Sequence, residues 1–304
     1  MKSKVLIISV LFLSIIACQG KTKPQAAVNQ SAENQSTVLV KADFTDEDKR
    51  IFTEYIQQFK AYNTENLNNI IIRTALFFKD RPYVAHTLEK DPETLVVNLR
   101  EFDCTTLVES VLALSRTLKY YPDPVFENFC GELQKIRYRN AEIQDYTSRL
   151  HYTSDWVFEN ERKGLVKDVT RQIGGEPYPV NVSFMSSHPD SYPQLEKYPD
   201  FVNAMAKKEK EISERKNYAL IPKNKIKSSE KGIENGDIVC FVTDIKGLDI
   251  SHVGFLYIEK GVLTFIHASS QQKKVIVNPE SLIDYVSGIK SNKGIMTVRA
   301  VEFF

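Results

Sequence analysis

The chain has 304 residues, 42% of them hydrophobic and 11% aromatic, enough for one large domain or two small ones around a substantial core. Its 40 Lys and Arg balance 39 Asp and Glu, a net charge of +1 that falls by two, to −1, if Lys2 and Lys4 leave with an N-terminal leader. That balance offers no electrostatic footprint for a phosphate backbone, so nucleic acid is excluded as the expected partner.

The first 18 residues read as that leader. Lys2 and Lys4 precede an apolar run from Val5 to Ile16, the layout of a secretory signal. The run is shorter than the roughly 20 apolar residues a membrane span needs. It ends Ile15-Ile16-Ala17-Cys18, which resembles the lipobox of bacterial lipoproteins. The resemblance implies lipid attachment at Cys18 and a lipid-anchored protein of the bacterial cell envelope, periplasm-facing or on the outer membrane. The alternative is an ordinary signal cleaved near Ala17. Residues 19–41 are polar and lack apolar periodicity, as expected of a disordered tether, and residues 42–304 remain as the folded domain.

Thr45-Asp46-Glu47-Asp48 suits a helix start, and Ile51, Tyr55, Ile56 and Phe59 share one face of a predicted helix over 44–62. A second helix is predicted over 67–78 and a short strand at 95–97. Tyr121-Pro122-Asp123-Pro124 breaks the helical pattern, which resumes over 125–138. Residues 139–231 carry weaker signals: a helix near 154–163, Pro-rich loops and a mixed-charge helix over 200–216. They read as an insertion into the core. From Asn235 onward the pattern is all strand, and the runs 238–242, 251–258, 262–267, 275–277 and 295–301 predict a sheet of about five antiparallel strands.

The stretch Asn98 to Val108 reads as a loop delivering a cysteine onto a helix. Leu107, Val111, Leu114 and Leu118 form the stripe of a buried amphipathic helix, Asp103 suits the N-cap, and Phe102 with Leu107 suits a hydrophobic staple. Cys104 then falls at the first helical position, where exposed amides and the positive dipole end favour a thiolate. It is either an activated nucleophile or a small core cysteine. With Cys18 acylated, Cys104, Cys130 and Cys240 leave an odd number of thiols. Cys130 and Cys240 either pair or stay free and buried, and the free state fits their apolar surroundings.

Glu259-Lys260-Gly261 is a hairpin signal. With Glu259 and Lys260 as the loop, His252 lies directly opposite His267, their Cβ atoms about 4.5–5.5 Å apart on one face. A three-residue turn makes them slightly diagonal. Gly254, on the same face, leaves room for a group such as a helix N-terminus. One imidazole can then act as base while the other fixes its tautomer. A zinc site with Cys104 as third ligand is the competing use of such a pair.

Phe102-Asp103-Cys104-Thr105-Thr106 resembles the nucleophile motif of the NlpC-type, papain-like bacterial cell-wall hydrolases. Gly236-Asp237-Ile238-Val239, Ser251-His252-Val253-Gly254 and Ile266-His267-Ala268-Ser269 match that family's three core strands in order. Pro82-Tyr83-Val84, Leu88-Glu89, Cys104-Thr105-Thr106 with Glu109, and Gly247-Leu248-Asp249 resemble its N-acetylmuramoyl-L-alanine amidase-like branch. The wider family usually has Ser-Gly after the nucleophile, so Thr105-Thr106 is a departure that supports the branch. The resemblance implies an α+β fold with a papain-like (NlpC-type) core, the cysteine helix packed on an antiparallel sheet, and extra helical segments. It implies Cys104 as nucleophile, His252 as base and His267 as orienter, with Tyr83 near the oxyanion. It allows Asp103 a substrate contact, although capping alone explains that residue. Trp156 and Arg149 are candidates for lining a sugar or peptide groove, with packing or a solvated charge as the other explanation.

The implied activity is hydrolysis of the amide between N-acetylmuramic acid and the L-alanine of the stem peptide, by a monomer acting on peptidoglycan fragments without a metal or organic cofactor. The alternatives are a γ-D-glutamyl-diamino acid endopeptidase, an acyltransferase using the same thioester, and a non-catalytic wall-binding lipoprotein.

Overall fold

Caps written into the sequence start the first helices. The structure, a computed structural model, describes residues 41–303; the leader with Cys18 and the tether through residue 40 lie outside the described residues. A short β1 (Ala42–Asp43) leads into α1 (Asp46–Phe59), where Thr45 and Asp48 form a reciprocal capping box. Asp48 is fully buried, and its Oδ1 also accepts hydrogen bonds from the Leu99 amide (2.8 Å) and Arg100 Nε (3.2 Å). The first helix thereby holds the loop that precedes Cys104. Asn66 caps α2 (Leu67–Phe77), and β2 (Leu95–Val96) pairs in parallel with β1.

The central helix α3 (Cys104–Tyr120) is buried on every side from Thr106 to Leu118, enclosed partly by α2 and by α4 (Phe126–Arg137). Its charges are therefore paired. Glu109 accepts from Arg137 Nε at 2.6 Å and Arg116 donates to Glu132 at 2.7 Å, all four residues being buried.

The middle of the chain supplies α5 (Thr153–Arg162), β3 (Val166–Asp168), β4 (Glu176–Pro177), α6 (Phe184–Ser187), α7 (Pro193–Lys197), α8 (Pro199–Glu214), β5 (Ala219–Pro222) and α9 (Ile226–Ser229). The rest is β6 (Ile238–Thr243), β7 (Ile250–Glu259), β8 (Val262–Ser269), β9 (Lys274–Val277), α10 (Leu282–Gly288) and β10 (Asn292–Ala300). The result is a mixed α/β protein built on one antiparallel eight-stranded sheet, ordered β4-β5-β10-β6-β7-β8-β9, with β3 also pairing β10. The five strands expected from the C-terminal third are contiguous within it. Residues 139–231 add the other three, short pieces of two to four residues that periodicity misses. The all-strand expectation also missed α10, although Ser281 caps it by accepting from the Asp284 amide at 3.1 Å.

Side-chain alternation gives the sheet two faces. Ile238, Cys240, Val242, Val253, Phe255 and Ile266 join the large core under α3. Val239, Phe241, Leu256, Phe265 and Ile295 form a smaller core on the other face with Leu282 and Val286 of α10. His252 and His267 belong, by alternation with Leu256 and Phe265, to the second face.

The hairpin differs from expectation. Glu259 pairs with Val262, so the loop is Lys260-Gly261, whose φ values of 51° and 83° are the two positive angles of a type I′ turn. The register moves by two residues. Continued along the ladder it sets Gly254 opposite His267 and leaves His252 one diagonal step away. Gly254 thus makes room for β8 rather than for a helix: a Cβ there would lie 2.7 Å from the Ile266 carbonyl oxygen and 3.1 Å from His267 Cβ. Cys130 and Cys240 are free, buried thiols.

Candidate functional site

The loop before α3 positions Cys104 through a full set of local bonds. Asp103 Oδ1 accepts from the Thr106 amide at 2.7 Å, and Thr106 Oγ1 accepts from the Asp103 amide at 2.9 Å, a second capping box. Phe102 and Leu107 are both fully buried, as a staple requires. The Phe102 amide donates to the Pro82 carbonyl and the Val84 amide to the Phe102 carbonyl, each at 3.0 Å, which lays Tyr83 alongside Phe102. Burial raises the Tyr83 pKa, and the Cys104 and Asp103 charges add to the effect, so the phenol lies within electrostatic reach of the thiol. Asp103 spends its carboxylate on the cap.

Placement on the first helical turn does not make Cys104 a resting thiolate. Burial pushes its pKa up to about 11, with the Asp103 charge adding, while the Val253 amide and the Thr105 hydroxyl pull the other way. This departs from the expectation of a lowered pKa: desolvation of the half-buried thiol and the adjacent Asp103 carboxylate both raise it. Ionising a thiol whose pKa is raised in this way calls for a base beside it.

His252 and His267 supply the geometry for one. His252 Nε2 and His267 Nδ1 are 2.7 Å apart, with the rings at 84° to one another. Burial lowers His252 to about 4; burial, then the neighbouring His252, lowers His267 to about 3. Two neutral imidazoles share one proton in that hydrogen bond. With His252 donating from Nε2, its Nδ1 is a free lone pair and His267 carries its own proton on Nε2. That nitrogen is buried and makes no hydrogen bond of normal geometry. The Asn278 side chain lies beside the ring and favours its charged form. Asn278 Nδ2 donates to the Glu280 carbonyl at 3.0 Å, which leaves Asn278 Oδ1 as the acceptor on that side. The direct contact between Nε2 and Nδ1 leaves no space for a zinc ion between them.

Cys104 and His252 line one cleft of about 170 Å³, together with Thr105, His151, Tyr152 and Val253 among others. His252 also lines a second pocket of about 310 Å³, with His267, Ser269, Gln272, Glu280 and Tyr285. His252 therefore stands between two recesses, with Cys104 in the first and His267 in the second. Sequence reasoning missed His151, Asn278 and Tyr285, each a single polar residue in a weakly patterned segment. Arg149 and Trp156 are both buried, at 6% and 4% exposed; Trp156 lines a small recess of about 20 Å³ with Thr105, His151 and Val253, and Arg149 lines none of these recesses. Arg149 donates to Glu89 (3.1 Å) and to the Leu88 carbonyl (3.2 Å) and lies over the Tyr146 ring, so it ties loops together.

Fold and cleft together define an α/β protein with a thiol at a helix start and a histidine pair on two adjacent inner strands of an antiparallel sheet. The chain belongs to the AmiA-like family described as N-acetylmuramoyl-L-alanine amidase-like, whose model matches residues 73–295. At the family level it is a peptidoglycan amidase. A solved structure named as an N-acetylmuramoyl-L-alanine amidase from Bacteroides uniformis is 38% identical, with a TM-score of 0.73 over 78% of this chain and 99% of that one. A structure from Bacteroides fragilis named as a putative xylanase is 39% identical, with a TM-score of 0.70 over 75% of this chain and 99% of that one. A Legionella pneumophila protein of the same fold is 23% identical, with a TM-score of 0.64 over 84% of this chain and 96% of that one. No curated protein matches the chain.

Proposed function

We propose that the protein is a cysteine-dependent amidase with a papain-like, NlpC-type core that hydrolyses the bond between N-acetylmuramic acid and the L-alanine of the stem peptide. The observation that carries this reading is the 2.7 Å hydrogen bond between His252 Nε2 and His267 Nδ1, with His252 lining the cleft that holds Cys104. With His252 as the donor of that bond, its Nδ1 is left as the base. In the proposed reaction His252 Nδ1 takes the Cys104 proton as sulfur attacks the lactyl carbonyl, and N–H donors hold the oxyanion. The imidazolium returns the proton to the alanine nitrogen, the C–N bond breaks and the free stem peptide leaves. Water, deprotonated by His252, then hydrolyses the thioester. No cofactor enters these steps.

Cys18 is the proposed lipid anchor, residues 19–41 its tether and residues 42–304 the catalytic domain. Glycoside hydrolysis in this cleft would require two carboxylates flanking the bond. Among the described residues Asp249 is the only acid lining it, and its oxygens accept from the Ser154 and Ile250 amides, each at 2.7 Å. Mass analysis of products from a sugar-linked tripeptide tests the proposal: free tripeptide and free sugar are expected. Recovery of a sugar-linked dipeptide with free diamino acid moves the scissile bond into the stem and overturns it.

A further inference from the structure

We propose that His151 is a substrate-binding residue that accepts a hydrogen bond from a backbone N–H of the stem peptide. The inference rests on the amidase reading above and deepens it. His151 Nε2 lies 2.8 Å from the Tyr146 carbonyl oxygen, and its ring packs on the Tyr146 ring at 4.4 Å. A carbonyl can only accept, so Nε2 carries the proton and the neutral ring must present a lone pair at Nδ1. That Nδ1 makes no hydrogen bond among the described residues. It is not sealed in the interior either, and His151 lines the cleft that holds Cys104 and His252. Burial, reinforced by the Arg149 guanidinium, lowers the imidazole to about 3, so at neutral pH the ring is neutral and its Nδ1 is an acceptor only. A ligand group beside it must therefore bring an N–H or O–H.

The two recesses decide between peptide and sugar. The His151 cleft is the smaller, with Met185, Leu248, Ile250 and Val253 in its walls, which suits a short peptide with a methyl side chain. The pocket beyond His252 is larger and carries Ser269, Gln271, Gln272 and Glu280, which suits sugar hydroxyls. With the lactyl carbonyl at Cys104, the peptide running into the His151 cleft presents the amide that follows L-alanine.

The test compares a sugar-linked tripeptide with its analogue carrying an ester in place of that amide, which replaces the N–H donor by an oxygen at nearly the same shape. Wild-type enzyme is expected to show a KM about tenfold higher for the ester, with kcat nearly unchanged. H151F should raise KM for the amide by a similar factor and abolish the difference between the two substrates. H151Q, which retains an acceptor, should restore part of it. Equal KM values for amide and ester with wild-type enzyme overturn the inference whatever the variants do, as does an undiminished difference in H151F. Failure of wild-type enzyme to release free tripeptide overturns the amidase reading instead.

Discussion

The two faces of the sheet differ in what they bury and in what they contribute to the cleft. The α3 face is the larger core and encloses charges in pairs such as Glu109–Arg137, and from it comes Cys104. The α10 face is a small core of aromatic and aliphatic side chains, and from it come His252 and His267. They meet where the β6–β7 ladder slips: Phe241 pairs with His252 and Val242 with Ile250, so Ser251 is an extra residue in β7. Such a bulge bends the strand end and re-aims its side chains. The comparison teaches that the proposed nucleophile and the proposed base are held by separate cores, so each half can be perturbed alone.

The largest effect should come from the residue that joins the halves chemically. Cys104→Ala is expected to lower turnover by about 10⁴-fold or more while changing stability by less than about 1 kcal/mol, since the side chain ends at a helix start. Activity on a muropeptide and a denaturant titration check both parts. Next comes a break confined to the α3 face. Arg137→Leu strands the buried Glu109 carboxylate and should cost about 3–5 kcal/mol of stability. Unfolding midpoints measure this, and the fraction still folded should retain a normal kcat.

On the α10 face, His267→Ala should cost about 100-fold in kcat, and His267→Asn nearer tenfold because an amide can still hold His252. The pH profile sharpens this. His252 is lowered to about 4, so the base form persists down to that pH and kcat/KM should decline only as pH falls through about 4. Cys104 is raised to about 11, so alkylation by iodoacetamide should keep accelerating up to alkaline pH. A plateau at neutral pH would mean a resting thiolate. Because His151, His252 and His267 are all lowered on folding, their contribution to stability is fully present above about 6.5 and is lost as pH falls toward 3–4. The smallest effect is at the cap, where Asp103→Ala should cost about 1 kcal/mol with a modest loss of kcat.

How far the chain discloses itself follows from the same division. The α3 half was legible because its signals are local: the Asp103 cap, the Phe102–Leu107 staple and the four-three-four spacing that leads to Leu118 all sit within one stretch. The residues of the histidine pair were legible, but their register was not, because Glu259-Lys260 and Lys260-Gly261 are both acceptable loops until positive φ at Lys260 selects the second. The raised pKa of the Cys104 thiol is not legible, because a helix end is visible in sequence and desolvation is not. β3, β4 and β5 escaped because strands of two to four residues show too little alternation to register.

The most direct test of the central claim is the mass of the acyl group trapped on the enzyme. Acid quench during turnover of a sugar-linked tripeptide, followed by peptide mapping, should find the muramic acid acyl group alone on the peptide containing Cys104, with none on Cys130 or Cys240. A sugar-dipeptide adduct on Cys104 would place the cut within the stem. An adduct elsewhere, or turnover retained in Cys104→Ala, would contradict the cysteine mechanism itself.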